Sequence, residues 1–586
     1  MKILSVYPYT HLSSSALAID GRVVAAASEE RFNREKMSTK FPVLSANWCL
    51  KSQKLGWGDI DLIAVPWNPM RNVNSASKRW VSEMSWRGEM LSHVPVQLMR
   101  AINGPVEREM EIRFGKTRIV YLNHHECHAA NGFYLSPFKN ADILTIDGHG
   151  EDETCFFGTG SGSEIRQLHH VLYPHSIGLF YGTFTDYLGF TPDVDEWKVM
   201  ALSAFSKKPG IYDKMILSLI NLTDNGFEMD LSYFDYYTFD RKPSFFNPKM
   251  AELLGPPRKR NDKFTERHYE IAGAMQRVFV RSVTHLLSVM KKMGSSKNIV
   301  LSGGAAMNSV FNGQLDRIGV YSDSYVSPCP DDSGVSVGAA LLAYYRHAEK
   351  PVRKIIDLKD NNWGPSYSDA DIASAIQKCK LPSDKPKDLV RDVAEALSRG
   401  ELVGWFQGAM EFGHRALGNR SILADPRLES TKDKVNAAVK YRESFRPFAP
   451  AVLAEEAEKI FELRPGRRVH YMERVLPIRA AWKRRLGAVS HVDGSGRLQT
   501  VERRVNPKFY DLIEAFGRIT GVPVLLNTSF NLNGEPIVCT PEQAIRTFYS
   551  CGLDLLVLGP YVIRKKSTLT KEVMKKNQKD RALVPA

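Results

Sequence analysis

The run His124-His125-Glu126-Cys127-His128 sets two imidazoles four residues apart. On a helix, residues four apart share a face, so His124 and His128 can reach one metal ion. A packed histidine pair gives the same spacing, so the spacing alone does not decide. Two acids extend the set. Asp147 closes the apolar run DILTID and is followed by Gly148, and Asp332 precedes Ser333-Gly334 at the start of a helical stretch. Strand ends and helix starts are where α/β folds carry ligand groups. Two His and two Asp form a hard-to-borderline N/O set, suited to Fe or Mn more than to a closed structural zinc.

Three further constellations stand out. Ser302-Gly303-Gly304-Ala305-Ala306-Met307-Asn308 follows an apolar run, and consecutive glycines there let backbone N–H groups approach a phosphate or an adenosine. Gly413-His414-Arg415 through Arg420, then Lys440 to Phe448, sets cations among aromatics. Arg forks suit phosphates and Lys supplies a point charge. A solvated basic face is the bland alternative, but Phe412, Phe445 and Phe448 ought to be buried, and buried cations need anionic partners. Lastly, His491-Val492-Asp493-Gly494-Ser495 with Arg497, and the polar run after Leu525-Leu526 that begins at Asn527, read as loops for a small polar group or as capped turns.

These residues need a frame. Runs 2–7, 15–19 and 22–28 read as strands, with Asp20-Gly21 as a hairpin turn. A helix is expected over 43–54 and strands over 61–66, 118–122 and 142–147, with helix formers from His124 to Gly132. Run 299–301 leads into the glycine turn, and 333–346 reads as a helix. Strand, glycine turn, helix is an α/β layout. A polar, Pro-containing break over 350–390 divides the chain into 1–355 and 356–586. The second part is again mixed: helices at 388–399 and 431–439, and strands at 402–406, 449–453 and 522–526. No internal repeat of fixed period is visible.

The chain has 586 residues, 43% hydrophobic and 25% charged, which excludes a disordered chain or a coiled-coil rod. No run approaches the length of a membrane helix, and the N-terminus reads as a strand rather than a signal peptide. Seven scattered cysteines without a CxxC pair suggest a reduced, cytoplasmic protein. The net charge of +14 fits nucleic acid or phosphorylated small substrates. Part of it lies in the tail after Tyr561, from Arg564 and Lys565 to Arg581, read as a solvated end because no aromatics interleave there.

The ordered motifs SSSALAIDG, HHECHAA, TIDGHGE, FYGTFTDYLGF, DEWKVMALSAF, SGGAAMN, DDSGVSVGAAL, GHRALGNRSILADPR, KYRESFRPFAP, HVDGSGRLQTV and LLNTSFNLNGEPIV carry a resemblance that runs nearly end to end. The chain resembles the O-carbamoyltransferases of nodulation-factor and antibiotic biosynthesis (NodU/CmcH type). The resemblance implies an α/β protein with an N-terminal actin/hexokinase-superfamily domain and a C-terminal YrdC-like domain. It implies that carbamoyl phosphate and ATP give carbamoyl-adenylate, whose carbamoyl group passes to a hydroxyl of a sugar or natural product.

By the same resemblance, His124, His128, Asp147 and Asp332 hold Fe2+ (alternatively Mn2+), and His11 is a general base, although Leu12 follows it where the family often has Asp. Lys36 lies in the region that meets the adenylate; Gly303, Gly304 and Asn308 bind its nucleotide part. Arg415, Lys440, Arg446, Arg497 and Asn527 hold carbamoyl phosphate and ATP, with Mg2+ accompanying ATP, and Lys440 and Arg446 act in catalysis. The expected partners are a small hydroxylated acceptor, no nucleic acid and no membrane, with a homodimer open. The acceptor pocket is expected in 65–115 and 205–265, where Trp67, Trp80, Trp86, Phe234, Tyr236 and Tyr237 could stack on a sugar or pack in a core. A threonylcarbamoyl-type tRNA-modifying enzyme and a non-catalytic nucleotide-binding scaffold are the alternatives.

Overall fold

The computed structural model describes residues 1–565 except 9, 69–70, 72–117, 207, 238–243, 442 and 444. Trp80, Trp86 and the tail cations from Lys566 onward lie outside the described residues. The chain forms two compact units: Met1–Ala26 with Thr39–Leu358, and Ala27–Ser38 with Lys359 onward. The division at 355 places segment 27–38 in the first part, but the segment belongs to the second unit. There Arg31 Nη2 donates to the Gly413 carbonyl at 2.8 Å, and Arg34 donates to the carbonyls of Ile537 and Pro536, each at 2.7 Å. No apolar pattern marks so short a charged run as part of a distant unit.

The first unit is built on two sheets of the same plan. In one, β1 (Lys2–Tyr7), β2 (Ser14–Ile19), β3 (Arg22–Ser28), β4 (Leu62–Val65) and β5 (Arg118–Tyr121) lie in the order β3-β2-β1-β4-β5. Asp20 (φ 48°) and Gly21 (φ 74°) make the expected tight turn, whose left-handed backbone suits the Asp-Gly pair. Strands β4 and β5 run parallel to β1.

The other sheet repeats this. Strands β6 (Asn140–Ile146), β7 (Glu153–Ser161) and β8 (Glu164–Leu172) form an antiparallel meander. After a small hairpin of β9 (Ile220–Thr223) and β10 (Gly226–Met229), β11 (Asn298–Ser302) and β12 (Asp323–Val326) add to β6 in parallel, giving β12-β11-β6-β7-β8. The duplication is one of topology, which is why no sequence period betrays it. It is the actin/hexokinase-like plan.

The second unit is an eight-stranded mixed sheet, as the YrdC-like expectation requires. Its strands β13 (Val403–Phe406), β14 (Arg420–Ala424), β15 (Ala449–Leu453), β16 (Arg474–Pro477), β17 (Ser495–Val501), β18 (Val524–Ser529), β19 (Leu555–Leu558) and β20 (Tyr561–Arg564) lie in the order β16-β17-β15-β18-β14-β13-β19-β20. Successive residues feed two cores: Ile422, Val452 and Leu526 one, Leu423, Ala451 and Leu525 the other. Both faces are therefore covered, which explains the near-continuous apolar runs. Tail residues Arg564 and Lys565 are tied into this unit, Arg564 to Glu401 and Asp392 and Lys565 to the Cys551 carbonyl. All seven cysteines are free thiols. Among the described residues no helix is long and apolar enough to cross a membrane.

Candidate functional site

Four donors converge in the first unit. His124 and His128 open the helix His124–Leu135, Asp147 follows β6 directly, and Asp332 stands in the first turn of the helix Asp332–His347. One ligand atom from each lies within 4.8 Å of the others. The two Nε2 atoms are 3.0 Å apart. Asp147 Oδ2 lies 2.7 Å from His128 Nε2 and 3.5 Å from His124 Nε2, and Asp332 Oδ1 lies 3.3 and 3.4 Å from the same nitrogens.

Each carboxylate is divided between two tasks. Asp147 Oδ1 accepts from the backbone N–H groups of Gly148 (2.8 Å) and Gly304 (3.2 Å), leaving Oδ2 to the histidines. Asp332 Oδ2 accepts from the Tyr7 hydroxyl at 2.9 Å, leaving Oδ1. Outer partners that hold one oxygen and turn the other inward are the arrangement of a metal site. The set can hold one metal ion. Burial alone would push Asp332 up, but His124 and His128 beside it hold it well below the usual carboxylate range. Burial would likewise lower His124, but Asp332 and Asp147 raise it well above an ordinary imidazole. The cluster thus concentrates negative charge that protons on the histidines offset, and a cation competes with those protons.

The surroundings include groups that sequence reasoning missed. Tyr7 sits at the end of an otherwise apolar strand and gives no local signal. Glu151, pushed up to about 7 by burial, accepts from the His124 backbone N–H at 3.0 Å. Trp67 packs on His124 with ring centroids 5.5 Å apart, and His149 stands behind it at 6.4 Å. Charges on His11 and His149 act on Asp193, which lies near Asp147 and Asp332 and adopts a left-handed backbone (φ 62°). His11 also acts on Asp332. The structure therefore brings His11 to the cluster.

The glycine turn is explained by close approach to this cluster. A Cβ on Gly303 (φ 90°) would meet the Ile146 carbonyl at 2.2 Å, and one on Gly304 would meet Asp147 Oδ1 at 2.8 Å. Asn308 exchanges hydrogen bonds with Gln276 (3.1 and 3.0 Å) and caps a helix by accepting from Phe311 N–H at 3.0 Å. Of the aromatics expected to line an acceptor pocket, Phe234 and Tyr236 are buried in the core.

The second unit gathers the other residues. Asn527 continues the face of Leu525, and Gln499 lies opposite Ala451 on the same sheet. Asn527 Nδ2 donates to Gln499 Oε1 (2.8 Å) and to the Ala416 carbonyl (3.1 Å), while its buried Oδ1 has no hydrogen-bond partner. Gln499 Nε2 donates to the Leu417 carbonyl at 2.8 Å.

The loop carrying Arg415 is further held by Glu411, whose Oε1 accepts from the N–H groups of Leu417 (2.7 Å) and Asn419 (2.8 Å). Lys440 closes a π-type turn, Asn436–Lys440, and donates to the Ser529 carbonyl (2.6 Å) and to Asn531 Oδ1 (2.9 Å). Such turns favour functional positions because they insert a residue into the helical register. Arg446 pairs with Glu443 at 2.9 Å. Lys36 lies in segment 27–38; its charge, with those of Arg31 and His414, holds Glu30 below its ordinary value against burial. Arg497 and Lys432 act on His491, the only imidazole of the HVDGS turn.

The chain thus pairs a duplicated α/β unit holding a two-His, two-Asp cluster with a second mixed α/β unit that carries Lys440, Arg446 and Arg497. Residues 2–341 match the carbamoyltransferase N-terminus and residues 394–565 the carbamoyltransferase C-terminus, so the chain belongs to the carbamoyltransferase family. It is 36% identical over 563 residues to the nodulation protein NolNO of Sinorhizobium fredii, covering 95% of this chain and 80% of that one. It is 33% identical over 279 residues to the 3'-hydroxymethylcephem-O-carbamoyltransferase of Amycolatopsis lactamdurans, covering 46% of this chain and 49% of that one. Among solved structures, full-length HypF in its phosphate- and nucleotide-bound form is similar over 60% of this chain and 56% of its own, at 12% identity and a TM-score of 0.32.

Proposed function

We propose that the chain carbamoylates a hydroxyl of a small-molecule or sugar acceptor in two half-reactions, one on each unit. In the second unit, carbamoyl phosphate, ATP and water would give carbamoyl-adenylate, pyrophosphate and phosphate. In the first, the carbamoyl group would pass to the acceptor oxygen with release of AMP and the hydroxyl proton. The observation behind this reading is a converging two-His, two-Asp set in a chain of the carbamoyltransferase family.

His124, His128, Asp147 and Asp332 would hold iron, or manganese in its place. Once bound, such an ion supplies a Lewis acid for the carbamoyl carbonyl and its phosphate. His11, whose charge acts on Asp332, would take the proton of the acceptor hydroxyl. Gly303, Gly304 and Asn308 lie beside this set on the side proposed for the nucleotide. Arg415, Arg446, Arg497 and Lys440 neutralise phosphate charge as adenylation proceeds, with Mg2+ accompanying ATP. The hydrogen bonds from Lys440 to Ser529 and Asn531 fix where its charge is presented.

Two variants separate the halves. Lys440→Ala should lose pyrophosphate and phosphate formation from carbamoyl phosphate and ATP yet still transfer from supplied carbamoyl-adenylate. His124→Ala should show the reverse, with loss of bound metal. Survival of both half-reactions in either variant refutes the division of labour.

A further inference from the structure

The second unit holds a neutral acceptor among its cations. In the turn His491–Ser495, the His491 N–H donates to the Ser495 carbonyl at 2.8 Å and the Gly494 N–H to the His491 carbonyl at 2.9 Å. Ser495 Oγ donates to Asp493 Oδ1 at 2.6 Å, so its own proton is committed there. The 3.1 Å contact between Ser495 Oγ and His491 Nδ1 then requires Nδ1 to carry the ring proton. Nε2 is left with the lone pair, and that atom is buried without a hydrogen-bond partner. The charged groups facing the ring are Asp493, Arg497 and Lys432; burial first, then the two cations against Asp493, push the imidazole down to about 4. The ring is therefore a neutral acceptor at neutral pH.

A site for carbamoyl phosphate needs two kinds of contact. Its phosphate takes donors, which Arg and Lys supply. Its NH2 group is itself a donor, and Arg and Lys offer no acceptor at all. Acetyl phosphate carries a methyl group in the place of that NH2. Sites built to pair a ligand N–H discriminate strongly against the analogue that lacks it, because the buried acceptor is then left unpaired.

We propose that His491 Nε2 accepts a hydrogen bond from the carbamoyl NH2 of carbamoyl phosphate and so selects it over acyl phosphates of the same shape. The assignment rests on the proposed function of the second unit. Asn527 Oδ1, another buried acceptor without a hydrogen-bond partner, is the competing reader.

The test uses the full chain and measures pyrophosphate release from ATP with carbamoyl phosphate and with acetyl phosphate, together with inhibition by inorganic phosphate. His491→Phe keeps a ring but no acceptor; His491→Gln restores an amide oxygen. The expected result is a fall of about 10- to 100-fold in kcat/KM for carbamoyl phosphate in His491→Phe, partial recovery in His491→Gln, and unchanged inhibition by phosphate. A His491→Phe variant within about twofold of wild type overturns the assignment and leaves Asn527 as the reader. Equal losses toward carbamoyl phosphate and inorganic phosphate overturn it too, since the residue would then serve the phosphate or the fold. A wild-type protein that forms no pyrophosphate from carbamoyl phosphate and ATP refutes the two-step function itself, and is seen before any variant is made.

Discussion

Tyr7→Phe removes one hydroxyl and leaves the ring. That hydroxyl donates to Asp332 Oδ2 at 2.9 Å, in a residue that is 1% exposed. Without it, Asp332 loses the contact that holds Oδ2 outward and Oδ1 toward the histidines. A hydrogen bond to a charged group contributes about 1.5–3 kcal/mol. Converted at 1.4 kcal/mol per decade, that is about 10- to 150-fold in affinity, which agrees with the roughly 10- to 100-fold attributed to outer partners of metal ligands. The assay is anaerobic titration of metal-stripped protein with Fe2+, repeated with Mn2+, read by calorimetry. Tyr7→Phe should weaken binding by that factor, and His128→Ala should abolish it. Equal affinity in Tyr7→Phe and wild type would refute the claim that the Tyr7 contact orients Asp332, whatever His128→Ala does.

Other consequences follow from the same contacts. Gly304→Ala would force a Cβ to 2.8 Å from Asp147 Oδ1, and overpacking of about 1–3 kcal/mol should weaken metal binding while pyrophosphate release from ATP continues; unaltered metal content in the purified variant would count against this. Glu411→Ala leaves the N–H groups of Leu417 and Asn419 without their acceptor, at about 1–3 kcal/mol each. Its thermal unfolding should come earlier and its KM for carbamoyl phosphate rise, whereas an unchanged KM would detach the Arg415 loop from substrate binding.

Because His491 is held at about 4 in the fold against 6.5 outside it, the unfolded chain binds more protons between those values. Stability should therefore fall as pH drops from 6.5 toward 4, by at most about 3 kcal/mol from this residue. Denaturant unfolding across that range should show a smaller loss in His491→Gln, and parallel curves would contradict the assignment.

Much of this site was legible because its residues carry local signals. His124 and His128 announce a helix face by spacing, and Asp147 and Asp332 stand where a strand ends and a helix begins. The strands were readable because runs buried on both faces, such as 402–406 at β13, leave little ambiguity. What was hidden depended on contacts distant in sequence. Tyr7 reaches Asp332 across 325 positions, and nothing in KILSVY hints at it. Segment 27–38 joins the second unit through the guanidinium groups of Arg31 and Arg34, and nothing in that charged run points to it. The glycines of SGGAAMN suggested a phosphate cradle, yet their nearest neighbours are Ile146 and Asp147. The tautomer of His491 needed the hydroxyl direction of Ser495, which only the folded turn supplies.

The central claim is transfer of a carbamoyl group to a hydroxyl at the expense of ATP and carbamoyl phosphate. Its most direct test incubates the metal-loaded protein with both, plus Mg2+, against a panel of hydroxylated metabolites and sugars, reading acceptor mass and AMP together. The account predicts one acceptor heavier by one carbamoyl group, with AMP formed in equal amount and neither product when ATP or carbamoyl phosphate is omitted. Acceptor modified without ATP, or AMP formed without carbamoyl phosphate, would contradict it.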